Sequence, residues 1–167
     1  MAKQHIVQFP RLNNVIKLSD QITGYIVHSS WHLSIIEKMV SGSLDALRMY
    51  SITQVEVVPV SGTFEIPQMI SHIINTHKDT NKHIVIIALG IVIQGETYHD
   101  RVISYSVANA LQSLAITHPS VPIGFGILTV YDRQQAVERA FGKGNKGIEA
   151  TIAVLTQLDR IISISTR

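Results

Sequence analysis

The 167-residue chain contains no cysteine. That absence removes disulfide frameworks, thiolate catalysis and Cys-ligated zinc together, and it fits a reducing compartment, the cytoplasm. Charge is sparse: Asp, Glu, Lys and Arg make up 16% of the residues, and the formal net charge is +2 with eight histidines counted neutral. No cluster of Lys and Arg interleaved with aromatics occurs, so nucleic acid is not expected as a partner. The N-terminal "MAKQHIVQFPRLNNVIKLSD" has no long apolar run behind a basic start, and so reads neither as a signal peptide nor as a membrane span. Internal repeats and low-complexity tracts are lacking too.

What is present suits one globular domain. Hydrophobic residues make up 46% of the chain, and a chain this long buries about two thirds of its unfolded surface without a covalent staple. A polar leader, residues 1–20 with Pro10, precedes a single domain over 21–167. The low charge also suits a surface partly covered by partner subunits.

Hydrophobic periodicity switches repeatedly between two and three-to-four residues. "ITGYIVHS" (22–29) reads as a strand, and residues 32–50 as a helix with Ile35, Ile36, Met39, Val40, Leu44 and Leu47 in phase, although Gly42 costs that helix about 1 kcal/mol. "TQVEVVPV" (53–60) alternates as a second strand, and a helix over 65–79 follows with Pro67 in its first turn, where a missing N–H costs nothing. "HIVIIALGIVI" (83–93) is apolar throughout, as in a central parallel strand covered on both faces. A helix over about 98–118, a strand at 121–128, a short helix at 132–141 and a closing helix at 145–163 complete the series. Alternating strands and helices imply right-handed crossovers, hence an α/β/α sandwich around a flavodoxin-like, four-stranded parallel sheet. Ligands of such sheets sit beyond the carboxyl ends of the strands, which directs attention to the loops after Ser29, Val60, Ile93 and Leu128.

Those loops carry polar chemistry. In "QGETYH", Gly95 permits close backbone approach, and Thr97 at a helix start offers N–H groups and a hydroxyl suited to phosphate; the plainer alternative is that Thr97 only caps its helix. Glu96 would repel a dianion, so its side chain is expected to turn away. His99 can trade protons near neutral pH, whereas His5, His28, His32, His72, His77, His83 and His118 read as surface or structural residues. In "SGTFEIP", Glu65 either caps the next helix or accepts hydroxyls of a polyol. Trp31, the single tryptophan, offers a face for a planar heterocycle, with core packing as its alternative. Arg139 and Lys146 flank the Gly-rich "FGKGN", as a phosphate clamp or as solvated helix-end charges. Metal-ligand spacings are missing from the loops.

Taken together, "SSWH", "SGTFEIP", "ALGIVIQGETYH", "FGILT" and "QQAVERAFGKGNKGIEA" resemble the 6,7-dimethyl-8-ribityllumazine synthase family, in order from about Gly24 to Ala153. The resemblance implies condensation of 5-amino-6-(D-ribitylamino)uracil with 3,4-dihydroxy-2-butanone 4-phosphate, in riboflavin biosynthesis, with no metal or redox cofactor. It assigns Trp31 to stacking on the heterocycle, and Thr63, Phe64 and Glu65 to the pyrimidine and ribityl hydroxyls. Ile91, Val92 and Ile93 become the strand end that reads the uracil edge, Glu96 and Thr97 the phosphate pair, and His99 the proton-transfer residue. Phe125, Arg139 and Lys146 match residues that reach the pocket from a neighbouring subunit.

The resemblance further implies a homo-oligomer built from pentamers, up to an icosahedral capsid of sixty subunits, with the leader adding to a neighbour's sheet and an association with riboflavin synthase. The chain departs from the family pattern at Gln94, Asp100, Arg101, Tyr131 and Asp132, and Asp100 bears on the orientation of His99. A lumazine- or flavin-binding protein without turnover, or a shell protein, on the same scaffold is the competing expectation.

Overall fold

A computed structural model describes residues 9–77 and 82–166. Four strands, β1 (Ile22–Ser29), β2 (Gln54–Val60), β3 (His83–Ile93) and β4 (Ile123–Val130), form one parallel sheet in the order β2-β1-β3-β4. Six helices accompany them: α1 (Asn13–Lys17), α2 (Leu33–Met49), α3 (Ile66–Thr76), α4 (His99–Thr117), α5 (Arg133–Ala140) and α6 (Lys146–Ser165). The α/β/α sandwich expected from the periodicity is therefore observed.

Each face of the sheet has its own core. On one side Ile26, Val85, Ile87 and Leu89 meet Ile36, Met39 and Leu47 of α2 and Leu155 and Leu158 of α6. On the other, Val27, Ile86 and Ala88 meet Ile66, Ile70 and Ile73 of α3 and Val107 and Leu111 of α4. Strand β3 is buried from Ile84 to Val92, which explains its unbroken apolar sequence. Burial of each of these large aliphatic side chains contributes roughly 1.5–3 kcal/mol.

Two elements differ from the sequence expectation. Strand β4 starts and ends two residues later than 121–128, because Thr129 and Val130 continue the ladder opposite Val92 and Ile93. Helix α1 was not legible in the leader. Its exposed N–H groups are satisfied from far along the chain: Asp159 Oδ1 accepts from Asn14 N–H at 2.9 Å and from Val15 N–H at 3.2 Å. Val15 is fully buried, and the Tyr50 hydroxyl, whose pKa burial pushes up, donates to the Pro10 carbonyl at 2.7 Å. Residues from Pro10 onward thus pack on their own chain. Residues 1–8, within the leader expected to reach a neighbour, and His5 with them, lie outside the described residues, as do residues 78–79 at the end of the expected third helix.

Close approach of α2 and α6 holds the first core together. Asn145 N-caps α6 by accepting from Gly147 N–H at 2.8 Å and Ile148 N–H at 3.3 Å, while its amide donates to the carbonyls of Lys38 and Ala140. A Cβ at Gly42 would fall 2.7 Å from that amide nitrogen, so the glycine that weakens α2 is what admits the cap. At Gly147 an added Cβ would collide with the main-chain carbonyl of Met39. Gly147→Ala is accordingly expected to lower stability by about 1–3 kcal/mol, read as a fall in the denaturant midpoint at unchanged slope.

Candidate functional site

The strand order reverses between β1 and β3: the chain runs from β1 outward to β2, then returns past β1 to β3 and continues to β4. Connections leaving β1 and β3 diverge there, and a crevice opens beyond their carboxyl ends. A cavity of about 620 Å³ occupies that position.

Its walls come from four segments. After β1, Ser30 donates twice to the Val60 carbonyl, from N–H at 2.9 Å and from Oγ at 2.8 Å, which ties the ends of β1 and β2 together. Trp31 follows with 68% of its surface exposed, so it lines the cavity and is not a core residue. After β2 the chain makes a 3₁₀ turn, Thr63–Glu65, and Glu65 reaches back to accept the Gly62 N–H at 2.9 Å. The capping alternative for Glu65 thus holds for one carboxylate oxygen, while the residue also lines the cavity beside Phe64. The Trp31 ring lies over this turn at ordinary contact distance: a Cβ at Gly62 would sit 3.8 Å from the indole and 3.0 Å from Glu65 Oε2.

The floor is Thr63 with Ile91, Val92 and Ile93 of β3. Thr63 is buried, and its Oγ1 lies 3.4 Å from the Ile91 carbonyl. It fits only because residue 90 is glycine, where a Cβ would stand 2.7 Å from Thr63 Cγ2 and 2.8 Å from its Oγ1.

The fourth wall is the loop into α4, with Gly95, Thr97, His99 and Asp100. Tyr98 occupies the N-cap position of α4 and makes no side-chain cap bond, and Thr97 Oγ1 lies only at a long 3.4 Å from His99 N–H. Capping therefore occupies the Thr97 hydroxyl weakly, and the loop into α4 presents it at the cavity edge. Glu96 is exposed and outside the lining.

Three other candidates lie elsewhere on the chain. Phe125 and Lys146 line a separate groove of about 390 Å³ along the outer edge of β4, where Lys146 pairs with Glu149 at 2.9 Å. Arg139 stands exposed on α5, donating to the Gln135 carbonyl at 3.1 Å. The lining of the main cavity contains the carboxylates Glu65 and Asp100 and no Lys or Arg.

The departures from the family pattern mostly serve local structure. Asp132 N-caps α5, accepting from Gln135 N–H at 2.8 Å, and Arg101 lies 4.9 Å from the ring centre of Tyr98. Gln94 continues the sheet through its N–H to the Val130 carbonyl, and Tyr131 is exposed beyond β4. Asp100 is half-buried in the cavity wall. Sequence reasoning passed over His32, which also lines the cavity; its one signal was adjacency to Trp31 in a strand-end loop. Among the described residues no group of three or more His, Asp and Glu side chains could hold a metal ion, and no helix is long and apolar enough to cross a membrane.

A family model described as 6,7-dimethyl-8-ribityllumazine synthase matches residues 21–161. The chain belongs to that family. Among its relatives, the 6,7-dimethyl-8-ribityllumazine synthase of Buchnera aphidicola subsp. Baizongia pistaciae is 39% identical over 140 residues, covering 81% of this chain and 85% of that protein. The synthase of Kosmotoga olearia is 38% identical over 133 residues, covering 78% and 82%. The synthase of Nocardioides sp. is 35% identical over 133 residues, covering 78% and 79%. The lumazine synthase match includes every cavity wall, from Trp31 to Ile103, and also Phe125, Arg139 and Lys146 outside the cavity.

The contact between Gly90 and Thr63 yields a paired test. Gly90→Ala is expected to destabilise the protein by about 1–3 kcal/mol, whereas Gly90→Ala combined with Thr63→Ala recovers more than half of that loss by removing the colliding atoms. Additive losses in the double variant, measured by denaturant unfolding, would show that the floor is not packed in this way.

Proposed function

We propose that the chain is a lumazine synthase acting in the cytoplasm, condensing 5-amino-6-(D-ribitylamino)uracil with 3,4-dihydroxy-2-butanone 4-phosphate to give 6,7-dimethyl-8-ribityllumazine, phosphate and water. The observation that carries this reading is one cavity at the β1/β3 switch point that joins an exposed indole, a buried hydroxyl, a strand-end backbone, a helix start and an imidazole. In this reading Trp31 stacks on the heterocycle, Thr63, Phe64 and Glu65 hold the pyrimidine and ribityl hydroxyls, and Ile91, Val92 and Ile93 present the strand edge to the uracil. Thr97 and the adjoining backbone at the start of α4 receive the phosphate, and Glu96, paired with Thr97 in the loop, contributes its main chain.

The chemistry is that of positioning. An amine must meet a ketone to form an imine, a proton must leave carbon as phosphate departs, and the ring must close. Holding both reactants in one cleft supplies much of the acceleration, and His99 moves the protons, adding about 10²- to 10⁴-fold.

A phosphate dianion in a cavity lined by two carboxylates and no cation needs positive charge from elsewhere. Arg139 and Lys146 supply it in trans when a second copy docks its β4 and α5 side against the cavity, bringing Phe125 with them. Two surfaces support such assembly. The outer face of α4 exposes Tyr98, Val102, Tyr105 and Ile116 in a three-four repeat, and β2, with Val57 exposed, stands at the edge of the sheet, where a further strand can add up to Pro59, which has no N–H to donate; that is the role assigned to a neighbour's leader. Such heterologous contacts can close into a ring, and in this reading the ring is a pentamer, from which larger shells are built; association with riboflavin synthase belongs to the same reading.

Incubation of the purified protein with both substrates is expected to form the lumazine well above the uncatalysed rate. Tight binding without turnover would favour the binding protein instead. His99→Ala is expected to lower kcat by about 10²- to 10⁴-fold with ligand binding retained, and an unchanged kcat would remove His99 from the mechanism. Arg139→Ala is expected to raise KM for the butanone phosphate roughly 10-fold or more. Subunits of the two variants, reassembled together, should regain activity by forming some sites with both residues intact; a native monomer by light scattering would contradict the shared site.

A further inference from the structure

Two non-glycine residues among those described have positive φ, Ser51 and His32. The first has a full local explanation. Ser51, at φ 62°, follows the C-cap of α2, and the bonds Ser51 N–H to Arg48 C=O at 2.9 Å and Ile52 N–H to Leu47 C=O at 3.1 Å are the helix-ending pattern that a left-handed residue makes possible. The second has none. His32, at φ 57° and ψ 40°, is the N-cap of α2, a position whose ordinary backbone is extended and whose side chain ordinarily accepts a hydrogen bond from the first turn. It does neither. Its carbonyl begins the helix, accepting from Ile35 N–H at 2.9 Å and Ile36 N–H at 3.1 Å, but its imidazole makes no cap bond and has no hydrogen-bond partner among the described residues.

A left-handed histidine is thus kept where an extended Ser, Thr or Asp would start the helix better. Such strain, when the surrounding hydrogen bonds do not account for it, collects at ligand sites. The location agrees: His32 is half-buried and lines the cavity, next in sequence to Trp31. Turning the chain left-handed at residue 32 lets two successive side chains, an aromatic plate and an imidazole, both serve the same cavity before the helix begins. A neutral imidazole offers one donor and one acceptor in the plane of its ring, which matches the edge of a planar heterocycle carrying both.

We infer that His32 is a binding residue for the heterocyclic substrate, a second imidazole of the site beside Trp31, whose left-handed backbone brings it there. The inference rests on the proposed activity for the identity of the heterocycle. It commits His32 to the uracil and not to the phosphate, because residue 32 belongs with Trp31 and Gly62 at the ends of β1 and β2, whereas Thr97 lies after β3.

Trp31, being the sole tryptophan, reports on the cavity directly. Quenching of its fluorescence by 5-amino-6-(D-ribitylamino)uracil gives a Kd in the absence of turnover, and steady-state kinetics give KM for each substrate. In His32→Gly, which adopts positive φ freely, Tm should stay within about 3 °C of the wild type while Kd and KM for the uracil rise about 10-fold and KM for the butanone phosphate changes less than about 2-fold. His32→Asn, which tolerates the left-handed region and keeps a donor and an acceptor, should recover part of the affinity. Unchanged uracil affinity in His32→Gly would reduce His32 to a turn residue and overturn the inference. So would a parallel rise of both KM values with a drop in Tm in both variants, the mark of general disruption. A wild type that quenches on binding the uracil but forms no lumazine would sink the proposed activity and leave the His32 result readable, whereas a catalytically active wild type with indifferent His32 variants would sink only this inference.

Discussion

The sheet order β2-β1-β3-β4 is the constraint on which the site depends. A parallel strand must be followed by a crossover, and right-handed crossovers from β1 and β3 carry the chain to opposite sides of the sheet. No main chain then fills the space above the adjoining ends of those two strands. The cavity is a consequence of topology before any side chain is considered, and Trp31, the Thr63 turn and His99 line it because they belong to the segments that follow the strands.

Small residues set how closely the parts approach. Gly90 lets Thr63 settle onto β3 as the floor, Gly42 admits the Asn145 cap, and Gly147 brings α6 against the main chain of α2. Each is a position where an alanine methyl would meet atoms nearer than ordinary contact allows. The catalytic style proposed for the chain is consistent with this economy: a reaction driven by holding two reactants together asks for fixed walls more than for reactive groups. The lack of cysteine costs such an enzyme nothing.

Charge tells a complementary story. The cavity wall carries Glu65 and Asp100, while Arg139 and Lys146 stand on surfaces formed by α5, α6 and the β4 edge. Under the proposed assembly these two surfaces would meet, and exposed Trp31, Phe64, Tyr98 and Tyr105 add apolar area around the cavity. The sparse charge of the whole sequence belongs to the same picture.

Much was legible in the residues alone. The apolar run at 83–93, the helical phase of Ile35, Ile36, Met39 and Leu47, and Pro67 at a helix start each follow from local periodicity or backbone chemistry, and they place three of the cavity walls at strand ends. Other features required the fold. Helix α1 is held by Asp159, some 145 positions away, so no window of sequence could show it. His32 looked like any histidine beside a helix until its backbone angles and its place in the cavity were known. Thr97 could be read as a cap or a ligand contact, and only the fold shows that its Oγ1 makes a long 3.4 Å contact with His99 N–H while the residue lines the cavity. Apart from α1, sequence by itself determined which segments are strands and helices and in what order, because those choices are governed by neighbours within a few residues. Tertiary structure decided which side chains share a cavity, which glycines permit contact and where the backbone is strained, because those depend on distances between residues that the chain order leaves open.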